Sequence, residues 1–417
     1  MACSAVEDSP GAGVLSSGVV ISLEDIQDAR QRVAGVLRST PVDHSDSLSK
    51  LSGRPVTIKP EHLQRTGSFK IRGAYNLISR LTETEEVVAA SAGNHAQGVA
   101  LAAQLTGHKS TIFMPVNAPL PKLAATRAYG AVVIQEGEAV DDCIAAAKRY
   151  SEKNGAVYVP PFDHPLVIAG QGTVGLEIAE ECPGAEVVVV PVGGGGLIAG
   201  IATALAHSGR PVRVVGVEPA GAACMRASLE GGGVVALNEL ATMADGVAVR
   251  SVSDLTLEHV KAYVDEVVTV TEEEISRAVL LMLERCKAVV EPAGAVAVAA
   301  LLAGKIEGAG EAVAVVSGGN VDPLLLIRLI EHGLSAAGRY LNLRIVVDDR
   351  PGALAGLTAE VAELGLNVVQ VEHHRTGTRL GLDEVEVFLT LETRDPDHRE
   401  EVVTLLSSKG YRVTLTG

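Results

Sequence analysis

An α/β fold with parallel sheets, followed by a smaller βαββαβ unit, is the architecture that this 417-residue sequence predicts. Three observations predict it. Strand-like and helix-like runs alternate through most of the chain, the pattern of parallel βαβ units. Aromatic residues make up only 3% of the sequence and Trp is absent, while Gly, Ala and Val abound; such small and β-branched residues suit strands buried under helices. The order of elements then changes after "VAVVSGGN", and a new unit begins.

The alternation is read in order. Residues 1–17, rich in Ser, Gly, Ala and acids, are expected to be a flexible N-terminus. "SLEDIQDARQRVAGVLRSTP" is helical, with Ser22 as N-cap and a stop before Pro41. "VVAASAGNHAQGVALAAQL" reads strand, loop, helix. "KSTIFMP" with "LPKLAATRAYG" repeats it, and "AVVIQEG" with "AVDDCIAAAKRYSEK" repeats it again. After "GTVGLEIAEE" come "VVVVPV", a run of four glycines, "LIAGIATALAHS" and "VRVVGVEP". A helical "PLLLIRLIEHGLSAAG" leads to a boundary at residues 338–341. Residues 341–417 then read strand, helix, two strands, helix, strand, with a turn at Pro351-Gly352; this is a ferredoxin-like split unit.

Composition narrows the function classes. Lys+Arg 35 against Asp+Glu 51 gives a net charge of -16, which disfavours nucleic acid or an anionic membrane as partner and favours small molecules. Five scattered cysteines with no Cys-x-x-Cys or Cys/His pairing suggest neither a disulfide framework nor a zinc site, and a reducing compartment. No Lys or Arg precedes Arg30, so a secretory signal is not expected. Val187 to Ala206 is uncharged and long enough for a bilayer, but Pro191 and the four glycines mark it as strand, loop and packed helix.

Four motifs carry chemistry. "RTGSFKIRGA" holds a lone lysine, Lys70, between an aromatic and a β-branched residue. "PVGGGGLIAG" leaves converging backbone N–H groups at a helix start, a cradle for an anion; its G-x-G-x-x-G match is weak as a dinucleotide signature, and no ribose-binding acid follows an early glycine turn. "SAGNHAQG" offers Ser91, Asn94 and His95 as donors to a carboxylate at another helix start. "VVSGGN" ends a buried strand on Ser317. An amine for an aldehyde, a phosphate cradle and a polar partner for a ring nitrogen together specify pyridoxal 5'-phosphate, with Lys70 as the Schiff-base lysine.

"SFKIRGA", "SAGNHAQG", "GQGTVGLEI", "VGGGGLIAG", "VEPAGA", "ADGVAV" and "SGGN" together resemble the threonine/serine dehydratases among the fold type II, tryptophan-synthase-β-like pyridoxal enzymes. The resemblance runs from about residue 20 to 335 and lies closest to the threonine ammonia-lyases. It implies two parallel-sheet α/β subdomains within residues 18–338, the smaller over roughly 60–160. It also implies roles. Lys70 binds the cofactor covalently and moves the α-proton, and Phe69 lies beside the ring. Asn94 bonds the ring's phenolic oxygen, and Gly193, Gly194, Gly195 and Gly196 hold the phosphate. Gly246 and Glu291 lie near the ring, and Ser317 faces its nitrogen. Ser91, Ala92, Gly93, Asn94 and His95 form the substrate-carboxylate loop. A neutral hydroxyl at Ser317 suits β-elimination over transamination.

Two departures matter. The serine racemases of this fold place a second serine where this chain has Ala92, so racemisation is expected to be weak. Those enzymes also bind a divalent ion near a segment resembling "VEPAGAAC"; Glu218 and the Ala222 carbonyl match two of its ligands, but Cys224 replaces the next carboxylate.

Residues 341–417 resemble an ACT domain, which implies an amino-acid effector bound near Pro351 and Gly352 between paired copies. The resulting expectation is a cytoplasmic homodimer or homotetramer that converts L-threonine to 2-oxobutanoate and ammonia, and L-serine to pyruvate, in isoleucine biosynthesis. A serine or threo-3-hydroxyaspartate dehydratase of the same fold, and an amino-acid sensor with a vestigial lyase, stay open.

Overall fold

The computed structural model describes residues 21–82, 85–336, 338–375 and 380–416. The expected flexible N-terminus, residues 1–17, lies outside the described residues. The chain divides after Asp322 into two compact units. The helix Pro323–Ala336 therefore groups with the C-terminal unit, whereas the sequence reading placed the boundary at 338–341.

In the first unit the strands are, in chain order, β1 (Asp43–His44), β2 (Val56–Lys59), β3 (Val87–Ala90), β4 (Ser110–Met114), β5 (Val132–Gln135), β6 (Val157–Tyr158), β7 (Val187–Pro191), β8 (Arg213–Pro219), β9 (Glu266–Val270) and β10 (Ala312–Val315). They form a six-stranded sheet in the order β1-β2-β10-β7-β8-β9 and a four-stranded sheet in the order β5-β4-β3-β6. Every pairing is parallel except the short β1–β2 edge. The two parallel sheets are those the resemblance implied. Composition explains the burial: β7 is four valines and a proline, all buried, and each fully buried Val contributes about 1.5–3 kcal/mol.

Helix Pro165–Glu181 ties the unit together, and its glycines are the means. A Cβ at Gly172 would lie 2.9 Å from the carbonyl oxygen of Gly200, and one at Gly200 would lie 2.5 Å from that of Ile168, so this helix and Gly196–Ala206 touch backbone to backbone. On its other side a Cβ at Gly170 would lie 2.5 Å from the Arg72 carbonyl, which brings helix Lys70–Ile78 equally close. The helices that begin at Lys70 and at the glycine loop are thus set against one common support. The first helix, Leu23–Val33, starts as expected: Ser22 caps it, and Asp25 bonds back to the Ser22 amide at 2.9 Å. No helix among the described residues is long and apolar enough to cross a membrane.

In the C-terminal unit β11 (Tyr340–Asp348), β12 (Val368–His374), β13 (Glu384–Glu392) and β14 (Arg412–Leu415) form an antiparallel sheet in the order β12-β13-β11-β14. Helices Ala353–Glu363 and Pro396–Ser408 complete the βαββαβ order. Burial alternates strictly along β11 and β13, so Leu341, Leu343, Ile345, Val387, Leu389 and Leu391 share one face with Leu357 and Val361 of the first helix and Val402 and Leu406 of the second. β12, at the edge, is exposed along its whole length.

Candidate active site

Lys70 opens its helix directly after a stretch stitched to the end of β10. Ser68 pairs with Gly318 in an antiparallel bridge, and the Phe69 amide donates to the Ser317 carbonyl at 3.2 Å. The lysine and the strand-end hydroxyl, 247 positions apart in the numbering, are therefore held by adjacent backbone. The Lys70 Nζ donates to the Pro161 carbonyl at 3.1 Å and lies 5.0 Å from the centre of the Phe69 ring. Burial pushes this amine down to about 8, with the Glu291 carboxylate pulling the other way.

Glu291 precedes helix Pro292–Leu302 and is buried. Its carboxylate accepts a hydrogen bond from Asn94 Nδ2 at 2.5 Å. Burial raises it to about 7, and the Asp245 charge adds to that, while the Asn94 bond, Lys122 and Lys70 oppose. Asn94 is oriented from its other end: Asn320 Nδ2 donates to Asn94 Oδ1 at 2.8 Å and to the Thr66 carbonyl at 2.7 Å. His95 is buried with Nε2 at 2.8 Å from the Val159 carbonyl. A carbonyl only accepts, so Nε2 carries the hydrogen; burial, then the nearby Lys70 charge, pushes the ring down to about 3, and it is neutral at pH 7.

The glycine loop has the form of an anion cradle. Gly195 has φ +90°, a left-handed turn that lets the chain enter helix Gly196–Ala206. The amides of Gly193, Gly194, Gly195 and Gly196 donate to no acceptor among the described residues. Four unpaired N–H groups at a helix N-terminus suit a phosphate in charge and geometry. Ser317 is buried, and among the described residues its hydroxyl makes only a long contact of 3.5 Å, to the Ala293 carbonyl.

The structure brings the sequence-derived residues together. Phe69, Lys70, Asn94, the four glycines, Gly246, Glu291 and Ser317 line one small cavity. Ser91, Ala92, Gly93, Asn94 and His95 line a larger one of about 420 Å³, and the two share Lys70, Asn94, Phe162, Gly194, Gly246 and Glu291. Glu218 and Ala222 line neither cavity. Burial raises the Glu218 carboxyl to about 7, and it accepts from the amides of Met225 (2.8 Å) and Arg226 (2.9 Å) at the start of helix Cys224–Gly231. No cluster of three or more His, Cys, Asp or Glu poised for a metal occurs among the described residues. Pro351 and Gly352 lie in the C-terminal unit, where Gly352, at φ +92°, starts helix Ala353–Glu363.

Site residues beyond the expected set also line the cavities. Lys122, Asp141, Asp245 and Arg250 line the larger cavity, Gln171 lines the smaller, and Phe162 lines both. Gln171 lies inside "GQGTVGLEI" and Asp245 inside "ADGVAV", though neither motif gave it a role; the others come from loops and helices whose convergence is a tertiary matter.

An aldehyde-reactive amine of lowered pKa, a cradle of unpaired amides and a neutral hydroxyl opposite fit pyridoxal 5'-phosphate. Residues 33–318 match the family described as pyridoxal-phosphate dependent enzyme, and residues 342–408 match the ACT domain. The chain belongs to the pyridoxal-phosphate dependent enzymes and carries an ACT domain after its catalytic fold. Within that class it is 50% identical over 402 residues to an L-threonine ammonia-lyase of Thermotoga maritima, across 95% of this chain and 100% of that protein. It is 43% identical over 308 residues to the catabolic L-threonine dehydratase TdcB of Escherichia coli K12, across 72% of this chain and 94% of the relative. Among solved structures, the processed form of threonine deaminase isoform 2 from Solanum lycopersicum matches with TM-score 0.70 at 38% identity, covering 78% of this chain and 98% of that one. Serine racemase from Dictyostelium discoideum matches with TM-score 0.68 at 35% identity, over 72% and 99% of the two chains.

Proposed function

We propose that this protein is a pyridoxal-phosphate dependent L-threonine ammonia-lyase that yields 2-oxobutanoate and ammonia and also accepts L-serine, giving pyruvate and ammonia. The observation that carries this reading is the convergence on one pair of joined cavities of the Lys70 amine, the unpaired glycine amides and the Ser91–His95 loop. The similarity to L-threonine ammonia-lyases supports the choice of substrate.

The bound cofactor would supply a conjugated ring that takes up electrons from the substrate's α-carbon. The chain's own groups do the rest. The glycine amides hold the phosphate, and the start of helix Asn94–Thr106 receives the substrate carboxylate. Lys70, with its amine near 8, holds or gives up a proton close to neutral pH, as a group that moves the α-proton must. His95 stays neutral and serves the carboxylate loop as a fixed dipole. Ala92 places no acid on the opposite face, which favours elimination over racemisation. Ser317 offers the ring nitrogen a hydroxyl in place of a carboxylate.

The C-terminal ACT domain is the regulatory part of this reading. An amino-acid effector at Pro351–Gly352, shared between two copies in a homodimer or homotetramer, alters turnover, consistent with a place in isoleucine biosynthesis. Such couplings are typically about 1–3 kcal/mol.

The test is steady-state kinetics of the full-length holoenzyme with L-threonine and L-serine, repeated with isoleucine and valine present. Formation of 2-oxobutanoate from threonine, lost in Lys70→Ala, is the expected result. Turnover surviving in Lys70→Ala would overturn the catalytic assignment, and indifference to every amino acid would overturn the regulatory one.

A further inference from the structure

The larger cavity must receive a substrate side chain as well as its α-carboxylate, and its charges state which side chains it tolerates. An anionic side chain entering such a space loses hydration and needs a cation in return. Among the described residues three side-chain cations line the cavity: Lys70, Lys122 and Arg250. Lys70 is committed to the cofactor. His95 adds no charge. Each of the other two is already matched. Arg250 Nε lies 3.2 Å from Asp141 Oδ2, and its guanidinium also donates to the Leu237 carbonyl at 3.3 Å and to that of Asn238. Lys122, on helix Leu120–Ala128, is paired with Asp245, at the start of the turn Asp245–Val247. The exposures within this pair are unequal: the lysine side chain is 12% exposed and the aspartate 57%. The ammonium is the sheltered partner, capped by the carboxylate from the wetter side. The remaining wall is largely apolar, with Ala92, Val140, Ile144, Leu240 and Val249 suited to a methyl group.

We propose that Asp245 is a specificity-determining residue: by occupying the Lys122 ammonium it denies that cation to a substrate carboxylate, so the site takes neutral β-hydroxy amino acids and rejects those with an anionic side chain. The proposal rests on the ammonia-lyase reading above and deepens it. Removal of the Asp245 charge leaves Lys122 free to receive a second carboxylate beside the reacting carbons, and 3-hydroxyaspartate becomes a substrate: its α-proton and β-hydroxyl leave as water, and one water then hydrolyses the resulting imine to oxaloacetate and ammonia.

The experiment compares holoenzyme kcat/KM for L-threonine and threo-3-hydroxyaspartate in the wild type, Asp245→Asn, Lys122→Met and the double variant. The expected result is a strong preference for threonine in the wild type and a ratio shifted toward 3-hydroxyaspartate by roughly tenfold or more in Asp245→Asn, the scale of one charged hydrogen bond. The shift should vanish in the double variant, which also controls for the loss of a negative charge near Glu291. Equal use of the two substrates by the wild type, an unshifted ratio in Asp245→Asn, or a gain that persists without Lys122 would each overturn the proposal. Where turnover is slow, L-aspartate is titrated against the absorbance of the bound cofactor: binding in Asp245→Asn and none in the wild type or double variant supports it, and the same response in all three overturns it. Absence of threonine turnover in the wild type would defeat the ammonia-lyase reading, and the aspartate titration would still decide the role of Asp245.

Discussion

Arg72 and Glu61, both fully buried, form a two-pronged ion pair in which Nε and Nη2 of the arginine each lie 2.7 Å from a carboxylate oxygen. The same guanidinium grips Glu177 of helix Pro165–Glu181 at 2.6 and 2.9 Å. Burial opposes the arginine's charge, but the two carboxylates more than offset it and hold the group firmly protonated. Arg72 stands two positions after Lys70 on the same helix, so this clamp anchors the segment that delivers the amine.

Replacing Arg72 by Met would leave Glu61 buried without a cation, with the Thr40 hydroxyl still donating to it at 2.6 Å. The expected loss is about 3–5 kcal/mol of stability, the usual consequence of removing one partner of a buried pair. Chemical denaturation measures it. Lysine should rescue little, because a point-like ammonium cannot reproduce the two-pronged contacts that the guanidinium makes with each carboxylate. A loss under about 1 kcal/mol would mean that Glu61 finds another partner.

Capture of the cofactor by the apoenzyme requires the neutral Lys70 amine. Its rate should rise with pH and level off above about 8, instead of climbing toward the ordinary lysine value of 10.5. Stopped-flow absorbance on mixing apoenzyme with pyridoxal 5'-phosphate reads this directly. A rate still rising steeply beyond pH 9 would contradict the burial argument.

Gly195→Ala forces an alanine to φ +90° and sets its Cβ 2.6 Å from Met225 Cε. Left-handed strain of about 1–2 kcal/mol predicts cofactor affinity weakened roughly five- to thirtyfold, measured by titration of the apoenzyme. Unchanged affinity would show that the loop's conformation is not what binds the phosphate.

Burial raises Glu291 from 4.5 to about 7 in the folded protein. Between those values the folded state binds a proton that the unfolded state has released. The group's contribution is therefore complete below about 4.5 and is lost as pH rises through 7. Glu291→Gln, which keeps an acceptor for Asn94, should gain stability relative to the wild-type apoenzyme as pH climbs through that window. Parallel denaturation curves at pH 4.5, 6 and 8 check it, and a difference that does not change with pH would refute it.

Much of this was legible from the chain, for physical reasons. Alternating strand and helix runs follow local periodicity, so β3, β4, β7 and β8 and their helices fall where the sequence put them. The glycine loop and Lys70 stand out because their residue types are rare in such contexts. The Arg72–Glu61–Glu177 clamp was not legible. Its members are charged residues on separate elements, and nothing local distinguishes a buried glutamate from a solvated one. The same holds for Lys122 with Asp245 and Arg250 with Asp141, pairs 123 and 109 positions apart in the numbering. Helix Pro323–Ala336 carries no composition break at its start, so the unit it packs with cannot be read from its residues.

The position of β10 has a consequence for how the protein is made. This strand is the last of its sheet to be synthesised, yet it lies between β2 and β7 and pairs with both. A nascent chain that has not reached Val315 holds two bare strand edges facing a gap, each able to pair with another chain. The anchor for Phe69 and the Ser317 hydroxyl arrive with the same few residues. Sheet and cofactor site thus close in one late step. The ninety-odd residues of the C-terminal unit that follow take about 5–20 s to translate at bacterial and eukaryotic speeds, time in which that step proceeds while the chain is still tethered and kept from its neighbours.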